Sequence, residues 1–315
     1  MQKSDKRILF FGTDDVSTSA LNALLSIGSN VVGVVSKPDR PSGRHKKVVF
    51  SPIKEIAIAN NIPLFQPEKL SLMAEEILAT KPDLILTCSY GKIIPKVILD
   101  YPKYKCLNIH PSLLPKYRGA TPIQNAVLNG ETQTGITLYI MTPELDAGPI
   151  VTQVILNIDA NETSKSLREK VKKCIYECIT TGWLTIYDKI ANAIPQDESK
   201  ASYVKIISRE DEKIDWNTNA EFIDRKIRAL YDEPIAYTTI NNIDVKIYSA
   251  EIDKLTPTDK YACGQIIDIS KDGIKVATKD FAILIKKVQL SGKKPALVSQ
   301  IINGNIPFKI NDKFA

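Results

Sequence analysis

Short apolar runs alternate with segments of helical period through the first two-thirds of the chain, and the texture changes near residue 210. Arg7-Ile-Leu-Phe-Phe11 is an apolar run closed by Gly12-Thr13-Asp14, after which Ala20, Leu21, Leu24 and Leu25 recur along one helix face. Residues 31–35, 62–65, 83–87 and 135–141 read as further strands, and 51–60, 73–79 and 121–128 as helices. Strands apolar on both faces belong to a sheet covered on both sides, so the alternation predicts an α/β fold with a doubly wound, mostly parallel sheet. A long helix is predicted over 164–190, capped at Thr163 or Ser164, with Leu167, Val171, Ile175, Cys178 and Ile179 turned inward. Residues 191–209, which include Pro195-Gln-Asp-Glu-Ser-Lys-Ala-Ser, lack a period and read as a linker. Beyond them come Ile214-Asp215-Trp216 and a helix through Phe222, Ile223, Ile227 and Leu230. Short alternating strands follow, punctuated by Asn241-Asn242, Asp272-Gly273 and Ser291-Gly292, which is the pattern of a small β-barrel. The expected division is 1–190, a linker over 191–209, and 210–315.

A chain of 315 residues exceeds what one core comfortably fills, in keeping with two domains. Hydrophobic content of 43% and charged content of 25% are ordinary for globular proteins, and no apolar run approaches the ~20 residues that span a bilayer. No membrane association is expected. The amino terminus enters its first strand without an apolar leader or a small-residue cleavage site, so the expected location is the cytoplasm. Five cysteines, at 88, 106, 174, 178 and 263, form neither a CxxC pair nor a disulfide framework and read as reduced thiols. Cys174 and Cys178 share a helix face, but no histidine or third cysteine lies near them, so core packing explains them and no metal is expected. One glycine after the first strand, where a dinucleotide fingerprint has three, argues against a nicotinamide or flavin site.

Chemistry concentrates in residues 105–124. Leu107 and Ile109 alternate with Asn108 and His110, and side chains along a strand repeat every second residue, so an amide and an imidazole project together. Pro111 stops ladder pairing, Pro115 fixes the following turn and Gly119 permits a close backbone approach. The chain holds only two histidines, His45 and His110, so candidates for a general acid or base near neutral pH are few. Downstream, Asp146-Ala147-Gly148-Pro149 forms a tight turn after a strand. There a carboxylate either caps backbone N–H groups or returns beside His110 to orient it. Residues 36–50 carry two prolines, a glycine and clustered Arg and Lys, which together predict a long cationic exposed loop. Such a loop is either a solvated surface or a grip on a phosphate backbone.

Asn108-Ile109-His110-Pro111-Ser112-Leu113-Leu114-Pro115, followed by Asp146-Ala147-Gly148, resembles the pattern of the formyltransferase family that uses 10-formyltetrahydrofolate. The resemblance covers nearly the whole chain. It implies that Asn108, His110 and Asp146 are catalytic, that Ser112, Leu113, Leu114 and Pro115 shape the site for the folate co-substrate, and that the turn from Ser89 to Pro95 walls it. The Lys-Pro-Asp-Arg-Pro-Ser-Gly-Arg run is similar to the insertion by which the tRNA-acting branch holds the acceptor arm, with Arg40, Arg44, Lys46 and Lys47 as tRNA contacts. The Ile-Asp-Trp entry and Gly-Lys-Lys-Pro at 292–295 resemble the carboxyl-terminal OB-like, tRNA-binding domain of the same enzymes. Two departures stand out: Glu144 where the family commonly has Gly, and Ile235 where it has an aromatic residue. The reaction implied is transfer of the formyl group to the α-amine of methionine esterified to initiator tRNA, by a monomer without a metal. The rivals are an amino-sugar-nucleotide formyltransferase, against which the cationic stretch argues, and a non-enzymatic RNA-binding protein on an inert folate fold.

Overall fold

The structure, a computed structural model, describes residues 5–42, 47–231, 233–304 and 306–315, with the backbone alone at 40–42 and 47–49. In chain order the elements are β1 (Arg7–Gly12), α1 (Asp15–Ser26), β2 (Asn30–Val35), β3 (Arg40–Ser42), β4 (Lys47–Val49), α2 (Pro52–Ala59), β5 (Leu64–Phe65), α3 (Ala74–Leu78), β6 (Leu84–Cys88), α4 (Lys96–Leu99), β7 (Cys106–His110), β8 (Arg118–Gly119), α5 (Pro122–Leu128), β9 (Gln133–Ile140), β10 (Ile150–Asn157), α6 (Ser164–Gly182), α7 (Ile186–Ala191) and β11 (Tyr203–Val204). They continue with α8 (Arg209–Glu212), α9 (Ala220–Ala229), β12 (Tyr237–Ile240), β13 (Ile243–Pro257), β14 (Ile266–Ser270), β15 (Gly273–Ala277), β16 (Phe281–Leu290), β17 (Ala296–Leu297) and α10 (Val298–Ile301). The chain forms two compact units. One comprises Met1–Pro122, Gln133–Asn157 and Arg168–Val204, and the other Ile123–Thr132, Ile158–Leu167 and Lys205–Ala315.

The first unit is built on a seven-stranded sheet of order β10-β9-β7-β6-β1-β2-β5. β7, β6, β1, β2 and β5 run parallel, while β9 is antiparallel to β7 and β10 to β9. Ile8, Leu9, Phe10, Phe11, Leu84, Ile85 and Leu86 are all fully buried, as strands covered on both faces require. Helix starts follow local chemistry. Asp14 Oδ1 accepts from the N–H groups of Val16 and Ser17 at 3.1 Å each, and Ser51 Oγ accepts from Lys54 N at 3.2 Å with Pro52 next in line. The doubly wound α/β sheet read from the sequence is therefore the observed one.

Four details differ from the expectations. β10 is an additional strand, hidden because an edge strand with alternating half-buried positions carries a weak apolar signal. The helix expected over 164–190 breaks after Gly182 into a tighter turn at Trp183–Thr185 before α7, since glycine favours the helix interior least among residues other than proline. The cationic stretch expected as an irregular loop includes a two-stranded hairpin, in which Arg40 pairs Val49 and Ser42 pairs Lys47. Much of the stretch expected as a linker is tied to the sheet unit: Ile194 bridges Ile150, and Tyr203–Val204 pair in parallel with Arg118–Gly119. These ties join backbone groups far apart in sequence, which no local composition reveals.

In the second unit an antiparallel sheet runs β12-β13-β16-β15-β14, with β17 added to β16. Register shifts at Ile247/Ser249, Ser249/Ala250 and Asp253/Pro257 bend the fifteen-residue β13 of this antiparallel sheet. α9 begins where Asn219 Oδ1 accepts from Phe222 N at 2.8 Å, and it buries Ile223 and Ile227 against Val245, Ile247, Ile274, Ile283 and Ile285. Trp216 stacks on Phe314 with ring centres 5.8 Å apart and donates its indole N–H to Thr238 Oγ1 at 2.9 Å. Ile235, at the departure from the family pattern, is buried. Thr238→Val keeps shape but orphans that buried N–H. It is expected to destabilise this unit by about 1–3 kcal/mol in chemical denaturation, and a change under about 0.3 kcal/mol would remove the bond from the account.

Candidate active site

The strand period decides which side of β7 can carry chemistry. Ile109 turns toward α6 and, with Ile136, Leu138, Ile175, Ile179 and Trp183, encloses an apolar hollow of about 20 Å³. Asn108 and His110 take the opposite face at the carboxyl end of the strand, the edge at which open α/β sheets bind ligands. The antiparallel partner β9 aligns Tyr139 with Asn108 and Thr137 with His110, so four polar side chains share that face.

Asn108 is fixed by its neighbours. Its Oδ1 accepts from Thr87 Oγ1 at 2.6 Å and its Nδ2 donates to Tyr139 Oη at 3.2 Å. An amide nitrogen carries two hydrogens, so one N–H remains without a partner among the described residues. Tyr139 donates in turn to Asp146 Oδ1 at 2.7 Å. Burial, with the Asp146 carboxylate second, pushes the Tyr139 phenol well above its ordinary range, so it stays a donor throughout the pH range of enzymes.

The second carboxylate oxygen of Asp146 accepts from the backbone N–H of Gly119 at 2.7 Å and lies 3.5 Å from His110 Nδ1. The other ring nitrogen, Nε2, is 2.8 Å from the carbonyl of Tyr117. A carbonyl only accepts, so Nε2 carries a hydrogen and Nδ1 is the nitrogen left to face the carboxylate. His110 is almost fully buried. Asp146 thus both caps a backbone N–H and returns beside the imidazole. Its backbone is left-handed, φ 51°, a conformation that costs a non-glycine residue roughly 1–2 kcal/mol and needs its surroundings to hold it. Two residues on, a Cβ at Gly148 would come within 1.7 Å of the Ile140 carbonyl oxygen, so the turn admits only glycine. Glu144 is exposed and takes no part in this packing.

The 112–115 stretch is committed to its own fold. Ser112 is fully buried and donates to the Lys116 carbonyl at 2.7 Å, and Leu114 is buried. Thr137 Oγ1 donates to Ser112 O at 2.7 Å and accepts from Leu114 N at 3.1 Å, while Gln153 Nε2 donates to Leu114 O at 2.9 Å. With these groups used internally, the segment can shape a site with Leu113 and Pro115, which are half-buried, but has few polar groups to offer. In the neighbouring turn after β6, Tyr90 packs edge-on against Phe11 at 5.2 Å and Thr13 Oγ1 reaches its carbonyl at 3.4 Å. The Tyr90 Oη is buried without a partner among the described residues, and burial pushes its phenol up to about 12. A polar atom so placed is one that a bound ligand can satisfy.

Arg40 and Lys47 lie on the two strands of the β3–β4 hairpin, whereas Arg44, His45 and Lys46 lie outside the described residues. Cys174 is buried and Cys178 partly so, and no group of three or more potential metal ligands occurs among the described residues. The sequence reading thus placed Asn108, His110 and Asp146, which the fold brings together. It missed Tyr139, which joins two of them, and Thr87 and Tyr117, which fix their orientation; Gly119 was read for the close backbone approach that it makes to Val204 but not for its bond to Asp146. The one available signal was two hydroxyl residues, Thr137 and Tyr139, alternating inside an otherwise apolar strand. Chemically, an amide N–H donor beside an imidazole and a carboxylate can stabilise charge on a carbonyl oxygen while holding a proton released by an attacking nucleophile.

Residues 6–183 match the family model described as formyl transferase, and residues 206–305 match formyl transferase, C-terminal domain. The chain is 41% identical to the methionyl-tRNA formyltransferase of Malacoplasma penetrans over 306 residues, 97% of this chain and 96% of that one. It is 40% identical to the methionyl-tRNA formyltransferase of Bacillus subtilis over 304 residues, 95% and 94% of the two chains. Among solved structures, HypX from Aquifex aeolicus in complex with tetrahydrofolic acid is similar with a TM-score of 0.64 at 19% identity, over 99% of this chain and 51% of that one. WlaRD, a sugar 3N-formyl transferase, is similar with a TM-score of 0.64 at 22% identity, over 92% and 100%. At these identities the structural likenesses speak for the fold.

Proposed function

The chain belongs to the formyl transferase family, and on that premise we propose that it transfers the formyl group of 10-formyltetrahydrofolate to the α-amine of methionine carried by initiator tRNA. The observation that carries the reading is the convergence of Asn108, His110 and Asp146 on one polar cluster at the end of β7, in a chain about 40% identical to methionyl-tRNA formyltransferases along nearly its full length. That likeness favours the tRNA substrate over an amino-sugar nucleotide, and the intact cluster argues against an inert binding protein.

10-Formyltetrahydrofolate, when bound, supplies an activated formyl carbonyl. The residues around the polar cluster fit such a group: the buried Tyr90 phenol, unpaired among the described residues, would give a polar atom to a heteroaromatic ring, and 112–115 would give it a preformed wall. The free N–H of Asn108 stabilises negative charge developing on the formyl oxygen, a role worth about 2.7–4 kcal/mol per donor in related chemistry. His110 Nδ1, facing Asp146 Oδ2, takes the proton that the amine gives up on becoming an amide and returns it to N10 as the bond from the formyl carbon to N10 breaks and tetrahydrofolate departs. Asp146 keeps the ring in register and balances its charge, and the bond from Nε2 to Tyr117 prevents the ring from turning.

The carboxyl-terminal unit and the cationic stretch serve the tRNA in this reading, with Arg40, Arg44, Lys46 and Lys47 on its backbone. No helix among the described residues is long and apolar enough to cross a membrane. The proposed state is a cytoplasmic monomer. Incubation of the protein with 10-formyltetrahydrofolate and methionyl-tRNA is expected to yield formyl-methionine after mild hydrolysis of the ester, and its absence would sink the assignment. Arg44→Ala is expected to weaken formylation of methionyl-tRNA by at least tenfold while leaving hydrolysis of the formyl folate untouched. Equal loss of both would place Arg44 outside tRNA recognition.

A further inference from the structure

We propose that residues 194–204 are a strap that sets the catalytic carboxylate, with Gln196 as a positioning residue that acts through Asp146. This rests on the catalytic reading of Asp146 given above. Gln196 Nε2 donates to the carbonyls of Asp146 and Gly148, each at 2.8 Å, and so ties down both ends of the turn that carries the carboxylate. Its Oε1 accepts from Arg118 Nε at 3.2 Å and Nη2 at 2.8 Å. One amide therefore spends its two hydrogens on the turn and its oxygen on a guanidinium.

Arg118 is itself fully buried and is fastened to the strap a second time. It meets both oxygens of Glu198 at 2.7 and 2.9 Å and the hydroxyl of Tyr203 at 2.9 Å, and the bond to Glu198 does most to raise its already high proton affinity. The next residue, Gly119, donates the N–H that binds Asp146 Oδ2. The strap also binds the flanking main chain: Arg118 N donates to Ser202 O at 2.8 Å, Tyr117 N to Ser202 Oγ at 2.9 Å and Ala120 N to Val204 O at 3.2 Å. Tyr117 is the residue whose carbonyl holds His110. Gly119 cannot carry a side chain, because a Cβ there would meet Val204 O at 2.2 Å. The strap thus grips both partners of the catalytic pair, the carboxylate by its own turn and the imidazole by the turn that orients it. A turn held in a left-handed conformation at Asp146 has reason to need such a grip.

Glutamate at 196 keeps the attraction to Arg118 but sets an oxygen against two carbonyl oxygens, and methionine keeps the length without either set of bonds. For Gln196→Glu and Gln196→Met we expect kcat for formylation of methionyl-tRNA to fall by about ten- to hundredfold, with KM for both substrates within about threefold, since a displacement near 1 Å suffices for such losses. The imidazole ¹⁵N resonances of His110, measured at fixed pH, are expected to move; with two histidines in the chain, the His110→Ala spectrum assigns them. A role confined to stability leaves the resonances of the folded variant in place. If either folded variant retains kcat within twofold of the parent, or loses activity without moving the His110 resonances, the proposal is overturned. Should the parent protein form no formyl-methionine, the functional reading fails instead, and the resonance shift alone still tests whether the strap sets the carboxylate.

Discussion

His110→Ala is expected to lower kcat for formylation of methionyl-tRNA by about 10³–10⁴-fold, at the upper end of what a positioned proton-transfer group contributes. The ring is nearly inaccessible and both nitrogens are assigned, Nε2 to the Tyr117 carbonyl and Nδ1 to the side facing Asp146. Its removal leaves Asp146 with Tyr139 and Gly119 as partners and takes away the imidazole proposed to carry the proton, and the other histidine of the chain, His45, belongs to the cationic stretch. Affinity for tRNA is expected to stay within about threefold, because the proposed phosphate contacts lie on residues 40–47. His110→Gln sharpens the test: an amide can still donate to Tyr117 but cannot hold a second proton. If His110→Gln keeps more than a tenth of the activity, the ring is a support and not the proton carrier. If His110→Ala raises KM with kcat unchanged, the whole assignment of the site fails.

β7, the strand proposed to carry the catalytic pair, was legible in the sequence because its signal is local. Four consecutive residues, Leu107 to His110, alternate apolar and polar, and a period of two admits one arrangement, with Asn108 and His110 on one face. Asp146 was legible as a tight turn, and as a catalytic candidate chiefly through resemblance, since a turn states nothing about the distance to His110. Tyr139 was not legible. Its role depends on β9 running antiparallel to β7 with Asn108 opposite Tyr139, a register fixed by packing 31 residues away in the chain. Gln196 and Arg118 were still further out of reach. Their contacts cross from 48 to 85 residues, and the composition around Gln196 reads as a tether. The doubly wound sheet was readable for the opposite reason, since each buried strand announces itself by a continuous apolar run. β10, a half-exposed edge strand, does not.

Asp146→Asn is expected to reduce kcat by about 10²–10⁴-fold with the fold intact, and the hydrogen-bond inventory explains why so small a change costs so much. The carboxylate accepts from Tyr139 Oη and from Gly119 N, and faces His110 Nδ1. An amide offers one oxygen and one NH₂, so one of the two donors must lose its acceptor. The Gly119 N–H cannot turn away, whereas the Tyr139 hydroxyl can rotate and accept instead. The single oxygen of the substituted side chain therefore belongs on Gly119, and the same side keeps an uncharged oxygen beside the ring. Reversal of Tyr139 then also changes Asn108, whose Nδ2 donates to the same phenol oxygen. Two effects add: the negative charge that balances a proton on His110 is gone, and the donor aimed at the formyl oxygen loses its fixed partner. The thermal midpoint is expected to fall by only a few degrees, since the Gly119 N–H keeps an acceptor and the net loss is about one hydrogen bond. A variant with kcat within tenfold of the parent would show that Asp146 serves the turn and the Gly119 N–H alone, and that the 3.5 Å approach to His110 carries no chemistry.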